Sequence, residues 1–231
     1  MERILGAVVA ISLITWLMSS SVNAEAPTTS AIPTDLVYDT VVDHELPGVT
    51  PDMIDWWGVN MEKGYVLWHP EDHKSFRWEV APAKVGGRVG AIQVVEESMG
   101  RGPVQTITIR YVDPIDVVNL PFFYRHMGVS GHPDPDGKIR NFLVHQFEAT
   151  DYGTRMRSLL HVEAGIPRAA SEAFVKHNKE EMGRLPYFLP ELYKLWQVVK
   201  DPKLNVKACL VVKKLPDGRY TYEVPGGVDK P

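Results

Sequence analysis

The segments Asn141-Phe-Leu-Val-His-Gln-Phe-Glu-Ala149 and Thr154-Arg-Met-Arg-Ser-Leu-Leu-His-Val162 are followed by Ala169-Ala-Ser-Glu-Ala-Phe-Val-Lys-His-Asn-Lys-Glu-Glu-Met-Gly-Arg-Leu185. The first two carry β-branched and aromatic residues in period two, and the third is rich in Ala, Glu, Lys and Met without proline. They read as two strands and one long helix. Upstream, Tyr65 to Trp68, Phe76 to Val80, Ala91 to Glu97 and Gln105 to Val112 repeat the strand pattern between Gly, Pro and Asp residues. The expected fold is therefore α+β, a curved antiparallel sheet gripping one long C-terminal helix with a cavity between them.

Working outward, Thr50-Pro-Asp-Met-Ile-Asp-Trp-Trp57 opens like a helix, with Thr50 as N-cap, Pro51 at the first helical position and acid in the first turn. A short helix through Asn60 is expected. Beyond the long helix, Pro186 and Pro190 predict interruptions before a second helical stretch, Leu192 to Val199. Leu204 to Lys214 and Tyr220 to Val224, joined by Pro216-Asp-Gly218, predict a closing hairpin.

Residues 1–24 read as a secretory signal: Arg3, the apolar run Ile4 to Met18, and Val22-Asn-Ala24 suited to cleavage. The apolar run is shorter than the roughly 20 residues of a membrane span, so a cleaved, exported protein, periplasmic or extracellular, is expected without stable membrane insertion. Residues 25–45 are expected as a flexible leader, on the Pro, Thr and Ser content of Ala26 to Thr34, and 46–231 as a single domain. A net charge of −4 points away from nucleic acid. With Cys209 the only cysteine, stability rests on a packed core rather than on an internal disulfide.

His177 and Glu181 lie four apart on the long helix and leave one face a turn apart. Such a pair needs partners to hold a metal. His69 and His73 in His69-Pro-Glu-Asp-His73, and Glu96 and Glu97 at the end of an apolar strand, are the candidates. Two histidines with one or two carboxylates form the ligand set of a catalytic zinc that keeps a position open for water. The spacing leaves both choices open.

Read in order, Trp56-Trp57, Trp68-His-Pro-Glu-Asp-His73, Gly153-Thr-Arg-Met-Arg-Ser158 and His177-Asn-Lys-Glu-Glu-Met182 resemble the 2,4-diacetylphloroglucinol hydrolase family, to which phloretin hydrolase also belongs. The resemblance spans Leu46 to Leu195. It implies a Bet v 1-like helix-grip domain and a zinc-dependent enzyme that hydrolyses the carbon–carbon bond between a phenolic ring and an acyl group. It further implies a metal set of His73, Glu97, His177 and Glu181, holding Zn2+ or another divalent ion. Glu97 is preferred because Glu97-Ser-Met-Gly100 matches the family pattern.

Tyr65 and His145 are the candidate catalytic residues: Tyr65 for hydrogen bonding a small phenolic substrate, His145 for substrate contact or proton transfer. His145 shares a strand face with Leu143 and Phe147. Arg155 and Arg157 share another and are candidates to orient a carboxylate of the metal shell. An exported carrier of a small aromatic ligand and an ester or lactone hydrolase are the rival readings.

Overall fold

The computed structural model describes residues 35–99, 102–117, 119–199, 211–218 and 220–223. The signal expected over 1–24 lies outside them. Seven strands form one antiparallel sheet: β1 (Leu36–Pro47), β2 (His73–Val80), β3 (Ile92–Glu97), β4 (Gln105–Val112), β5 (His126–Pro133), β6 (Ile139–Ala149) and β7 (Gly153–Pro167), in the order β1-β7-β6-β5-β4-β3-β2. Two short helices, α1 (Pro51–Trp57) and α2 (Tyr65–Trp68), precede β2, and α3 (Pro82–Val85) links β2 to β3. The long helix α4 (Arg168–Met182) packs along β1 and β7 and is followed by α5 (Leu185–Val199). This is the expected α+β sheet gripping a C-terminal helix. A separate hairpin pairs β8 (Val211–Lys214) with β9 (Tyr220–Glu223); residues 204–210 of the expected hairpin fall outside the described residues.

Three expectations change. Residues 36–45, expected within the flexible leader, belong to β1, an edge strand paired along its length with β7. Its Thr40, Val42, His44 and Leu46 alternate into the interior. Tyr65 to Trp68, expected as a strand, is one helical turn after Gly64, which places both aromatic ends in the core. Pro186 and Pro190 do not divide the second helix, which runs unbroken from Leu185. Pro186 falls in the first turn, where its missing N–H has no intrahelical partner to lose.

The main core lies between the inner sheet face and the helices. Leu46, Trp57, Phe147, Met156, Met182, Leu185 and Leu189 are among its buried members. Trp57 meets Trp68 and Phe188 edge-on at 5.8 and 5.4 Å. A second cluster of Val117, Val129, Phe142, Val144 and Leu159 covers the other sheet face. Phe142 and Val144 thus face one way and Leu143, His145 and Phe147 the other, as the strand period requires. Among the described residues no helix is long and apolar enough to cross a membrane.

Leu46, fully buried on β1, tests where the domain begins. Leu46→Ala is expected to destabilise the protein by about 2–5 kcal/mol in chemical denaturation. Val41→Ala, on the exposed face of the same strand, is expected to change stability by less than about 0.5 kcal/mol.

Candidate functional site

The site is assembled by one tight turn, one strand register and one helix turn. After Trp68 the backbone N–H groups of Asp72 and His73 both donate to the carbonyl of His69, at 3.1 and 2.7 Å. This turns the side chains of His69, Asp72 and His73 inward, each about 1% exposed. His73 opens β2 and is the register partner of Glu97 on β3. Directly opposed residues of an antiparallel pair share a face, so this register alone brings the imidazole and carboxylate together. On α4 the four-residue spacing adds His177 and Glu181 from the other side.

His73 Nε2 lies 3.5 Å from Glu97 Oε2 and 3.8 Å from Glu181 Oε2, and His177 Nε2 lies 3.7 Å from the same Glu181 oxygen. A tetrahedral ion with ligands at about 2.0–2.2 Å holds its ligand atoms about 3.3–3.6 Å apart. The second nitrogen of each ring is already committed. His73 Nδ1 donates to the Tyr65 carbonyl at 2.9 Å, and His177 Nδ1 is 3.1 Å from Asp72 Oδ2. Both Nε2 atoms are thereby oriented as ligands, the second through a carboxylate–histidine pair of the kind that supports metal sites. His73 Nε2 is fully buried and has no hydrogen-bond partner among the described residues. The donor set and this orphaned nitrogen fit a divalent metal.

The alternatives separate by direction. Glu96 points outward and accepts from Ser75 Oγ at 2.7 Å, whereas Glu97 points in. His69 turns its Nε2 toward Glu180 Oε2 at 3.3 Å, and its ring stacks on His177 at 4.9 Å. His69, Asp72 and His177 also lie close enough to form a second group of metal-type atoms. In that group, however, His69 Nδ1 accepts from the Asp72 N–H and Asp72 accepts from Ser98 and His177, so the polar atoms have partners.

Charge at the cluster is unevenly distributed. Burial, with His177 nearby, pushes His73 well below the usual histidine range. Burial also raises Glu97, and raises Glu181 to about 7 against the pull of His177. For His177 burial opposes the cation, but the Asp72 hydrogen bond and the carboxylates of Glu181 and Glu97 prevail and raise it to about 9. In the metal-free site the His177 proton supplies the positive charge.

A buried polar chain leads away from the cluster. Asn178 donates its amide to Glu181 Oε1 at 3.0 Å, so its Oδ1 accepts from His44 Nε2 at 2.9 Å. Ser158 Oγ lies 3.2 Å from that nitrogen and 2.9 Å from His145 Nδ1. With the His44 proton on Nε2, Ser158 accepts there and donates to His145 Nδ1. Burial, with His44 and Arg88 nearby, pushes His145 down to about 3, so its ring is neutral, and a Ser158 hydroxyl donating to Nδ1 leaves its proton on Nε2.

Both catalytic candidates line a cavity of about 130 Å³ with Trp57, Trp68, Glu97, His177 and Glu181. A cavity of about 150 Å³ holds a benzene ring. Tyr65 donates to Glu97 Oε2 at 2.5 Å and stacks on His73 at 4.0 Å. Burial and Glu97 raise its phenol well above the ordinary range.

Arg155 and Arg157 do not reach the cluster. They pair with Glu148 and Asp43 on exposed sheet positions, and Asp72 takes the orienting role instead. His126, His132 and His161 are likewise bonded near the surface, to Asp55, the Thr108 carbonyl and Asp39. Sequence reading missed His44, Asn178 and Ser158. Asn178, between His177 and Glu181, was the one with a visible signal.

The family model of the DAPG hydrolase PhiG domain matches residues 38–166, more than half of the chain. The chain belongs to the DAPG hydrolase family. The matched region of this DAPG hydrolase family member carries Tyr65, His73, Glu97 and His145, and α4 with His177 and Glu181 follows it. No curated protein matches the chain. Solved structures similar to it include a protein from Thermus thermophilus (12% identity, 65% of this chain and 96% of that one, TM-score 0.47). Another is an AHSA1-like protein from Aeromonas hydrophila (10%, 64% and 92%, TM-score 0.42). A third is Ara h 8.0201 (10%, 66% and 99%, TM-score 0.44).

Metal binding requires both histidines unprotonated and both carboxylates ionised. Binding is therefore expected to displace the His177 proton below pH 9 and, below pH 7, a second from Glu181. Chelator competition should show apparent affinity rising about 10-fold per pH unit between 7 and 9 and more steeply below 7. Asp72→Asn is expected to weaken metal binding by about 10–100-fold, whereas His69→Ala should change it by less than about 10-fold. The reverse order would transfer the metal to the His69 side of the turn.

Proposed function

We propose that this chain is a zinc-dependent hydrolase that cleaves the carbon–carbon bond between an acyl group and a phenolic ring, releasing an acid and the deacylated phenol. The observation that carries this reading is the buried His73 Nε2, without a hydrogen-bond partner among the described residues and facing two carboxylates. A carrier of apolar ligands has no use for such a cluster, and leaving it without a cation would disfavour folding. The N-terminal segment 1–24 supports export, so the substrate would be a phenol met outside the cytoplasm.

When bound, a divalent metal supplies Lewis acidity that polarises a carbonyl and acidifies water. The remaining work falls to the protein. The apolar walls, Trp57, Trp68, Phe147 and Met156 among them, enclose the ring and exclude bulk solvent. His73, Glu97, His177 and Glu181 fix where the acyl carbonyl must lie. The acyl-bearing ring carbon first takes up a proton while a ring hydroxyl is ionised, which gives the ketone tautomer. Water's oxygen then joins the acyl carbon as water gives up a proton, and the ring–acyl bond breaks with its electron pair passing to the ring ketone oxygen, which is left as a phenolate.

Tyr65 is the proton donor in this reading, since its phenol is held neutral beside the site. His145 is neutral at working pH and acts as a hydrogen-bond donor through Nε2.

Elemental analysis before and after dialysis against a chelator, with hydrolysis of a panel of acylated phenols on the same samples, tests the proposal. About one zinc per chain and chelator-sensitive acid release are expected, and His177→Ala should lose both metal and turnover. Full metal content in His177→Ala would overturn the assigned site, and zinc without release of any acid would overturn the reaction.

A further inference from the structure

Arg88 occupies an unusual position. Its guanidinium enters the cavity through space that two glycines leave free: a Cβ on Gly58 would fall 1.4 Å from Nη2, and one on Gly128 would fall 2.4 Å from Nη1. Gly128 is the register partner of His145 across β5 and β6, so Nη1 lies on the inner sheet face beside that imidazole. The guanidinium makes no ion pair among the described residues. Its protein acceptors are the carbonyls of Ile54 and Asp55 at the end of α1, both at a long 3.4 Å. It stands 5.8 Å from the face of Tyr111.

Two further donors share this part of the cavity. Gln93 uses Oε1 to accept from Tyr111 at 3.0 Å, which leaves its amide N–H groups without a partner among the described residues. The hydrogen-bond chain from Asn178 gives His145 an Nε2–H that is also without one. Arg88, Gln93 and His145 all line the same cavity as the carboxylates of Glu97 and Glu181. Acceptors therefore gather at one end and donors without a carboxylate partner at the other. Gln93 lies four residues from Glu97 along β3, and Gly128 two strands away, which puts the two groups roughly 10–14 Å apart by strand spacing.

We propose that Arg88, with Gln93 and His145 beside it, forms an oxyanion subsite that binds an ionised ring hydroxyl and so selects acylphenols that enter as phenolates. The inference rests on the hydrolase reading for the position of the acyl group. It adds the ionisation state in which that substrate enters and a role in the chemistry. When the ring–acyl bond breaks, the electron pair that remains with the ring is delocalised onto ring oxygens, and a cation at such an oxygen stabilises that charge. An O-methylated ring cannot ionise there and forfeits the contact.

The test uses the purified wild-type chain, Arg88→Met and Gly128→Ala, whose added methyl displaces the guanidinium while keeping the charge. The probes are 4-hydroxyacetophenone and 4-methoxyacetophenone, followed by tryptophan fluorescence and by the absorbance of the bound phenolate. Wild type is expected to prefer the hydroxy probe and to show its phenolate band below the pH at which the free phenol ionises. Both variants should lose about 10-fold or more in affinity for the hydroxy probe, and the band, with the methoxy probe unchanged within about twofold.

Equal loss for both probes would reduce Arg88 to a cap on α1 and overturn the proposal, as would a hydroxy preference retained in both variants. Should Arg88→Met fail to fold, Gly128→Ala decides alone by the same criteria. A wild type that binds and ionises the phenol yet hydrolyses no acylphenol would leave the subsite standing and sink the hydrolase reading. Hydrolysis with unchanged selectivity in the variants would do the opposite.

Discussion

Two carboxylates buried within reach of each other in an apolar cavity cannot both remain ionised without a positive charge between or beside them. Glu97 and Glu181 impose this constraint on everything around them. In the metal-free protein it is met by a proton on His177, held there by Asp72. A divalent ion meets it better, because one charge centre can then satisfy both oxygens and both imidazole nitrogens. The register of His73 against Glu97 and the helical spacing of His177 and Glu181 are local facts of backbone geometry. The cluster exists only where β2, β3 and α4 are held in their relative positions by the core of Leu46, Trp57, Phe147, Met182 and Leu185.

Around that centre each ring nitrogen has an assigned direction. The Tyr65 carbonyl and Asp72 fix one nitrogen each of His73 and His177, and Asn178 fixes the second oxygen of Glu181. Beyond Asn178 the hydrogen bonds continue through His44 and Ser158 to His145. In a buried network of this kind the protons are arranged jointly, so the state of Glu181 and the donor presented to the cavity are coupled.

Much of the fold was legible because its signals are local. Gln105 to Val112 was bounded by its β-branched content, and the parity of β6 put His145 on the face of Leu143 and Phe147. The same parity in β3 separates Glu97 from Glu96 once the inner face is known. β1 was hidden because two of its inward positions are Thr40 and His44, so the alternation exists in burial but not in hydropathy. β5 was hidden because Gly128 and Gly131 weaken its strand signal, and Gly128 is small to admit Arg88 from a distant loop. Tyr65 to Trp68 has strand-like residues, but four residues are too few for period to distinguish a strand from a helical turn. Asp72 and His44 owe their roles to partners more than one hundred residues away, which no local pattern carries.

β1 has a neighbour on one side only, β7, and it supplies His44 to the interior. An edge strand is held by hydrogen bonds along one side alone, so it can open locally without parting from a second strand. Each opening that reaches position 44 cuts the link from Asn178 to Ser158 and frees Glu181 to turn. For an ion held as proposed, escape would be tied to the breathing of the sheet margin rather than to the ligand bonds alone. Warming or mild denaturant that loosens this margin would then release such an ion before the core melts.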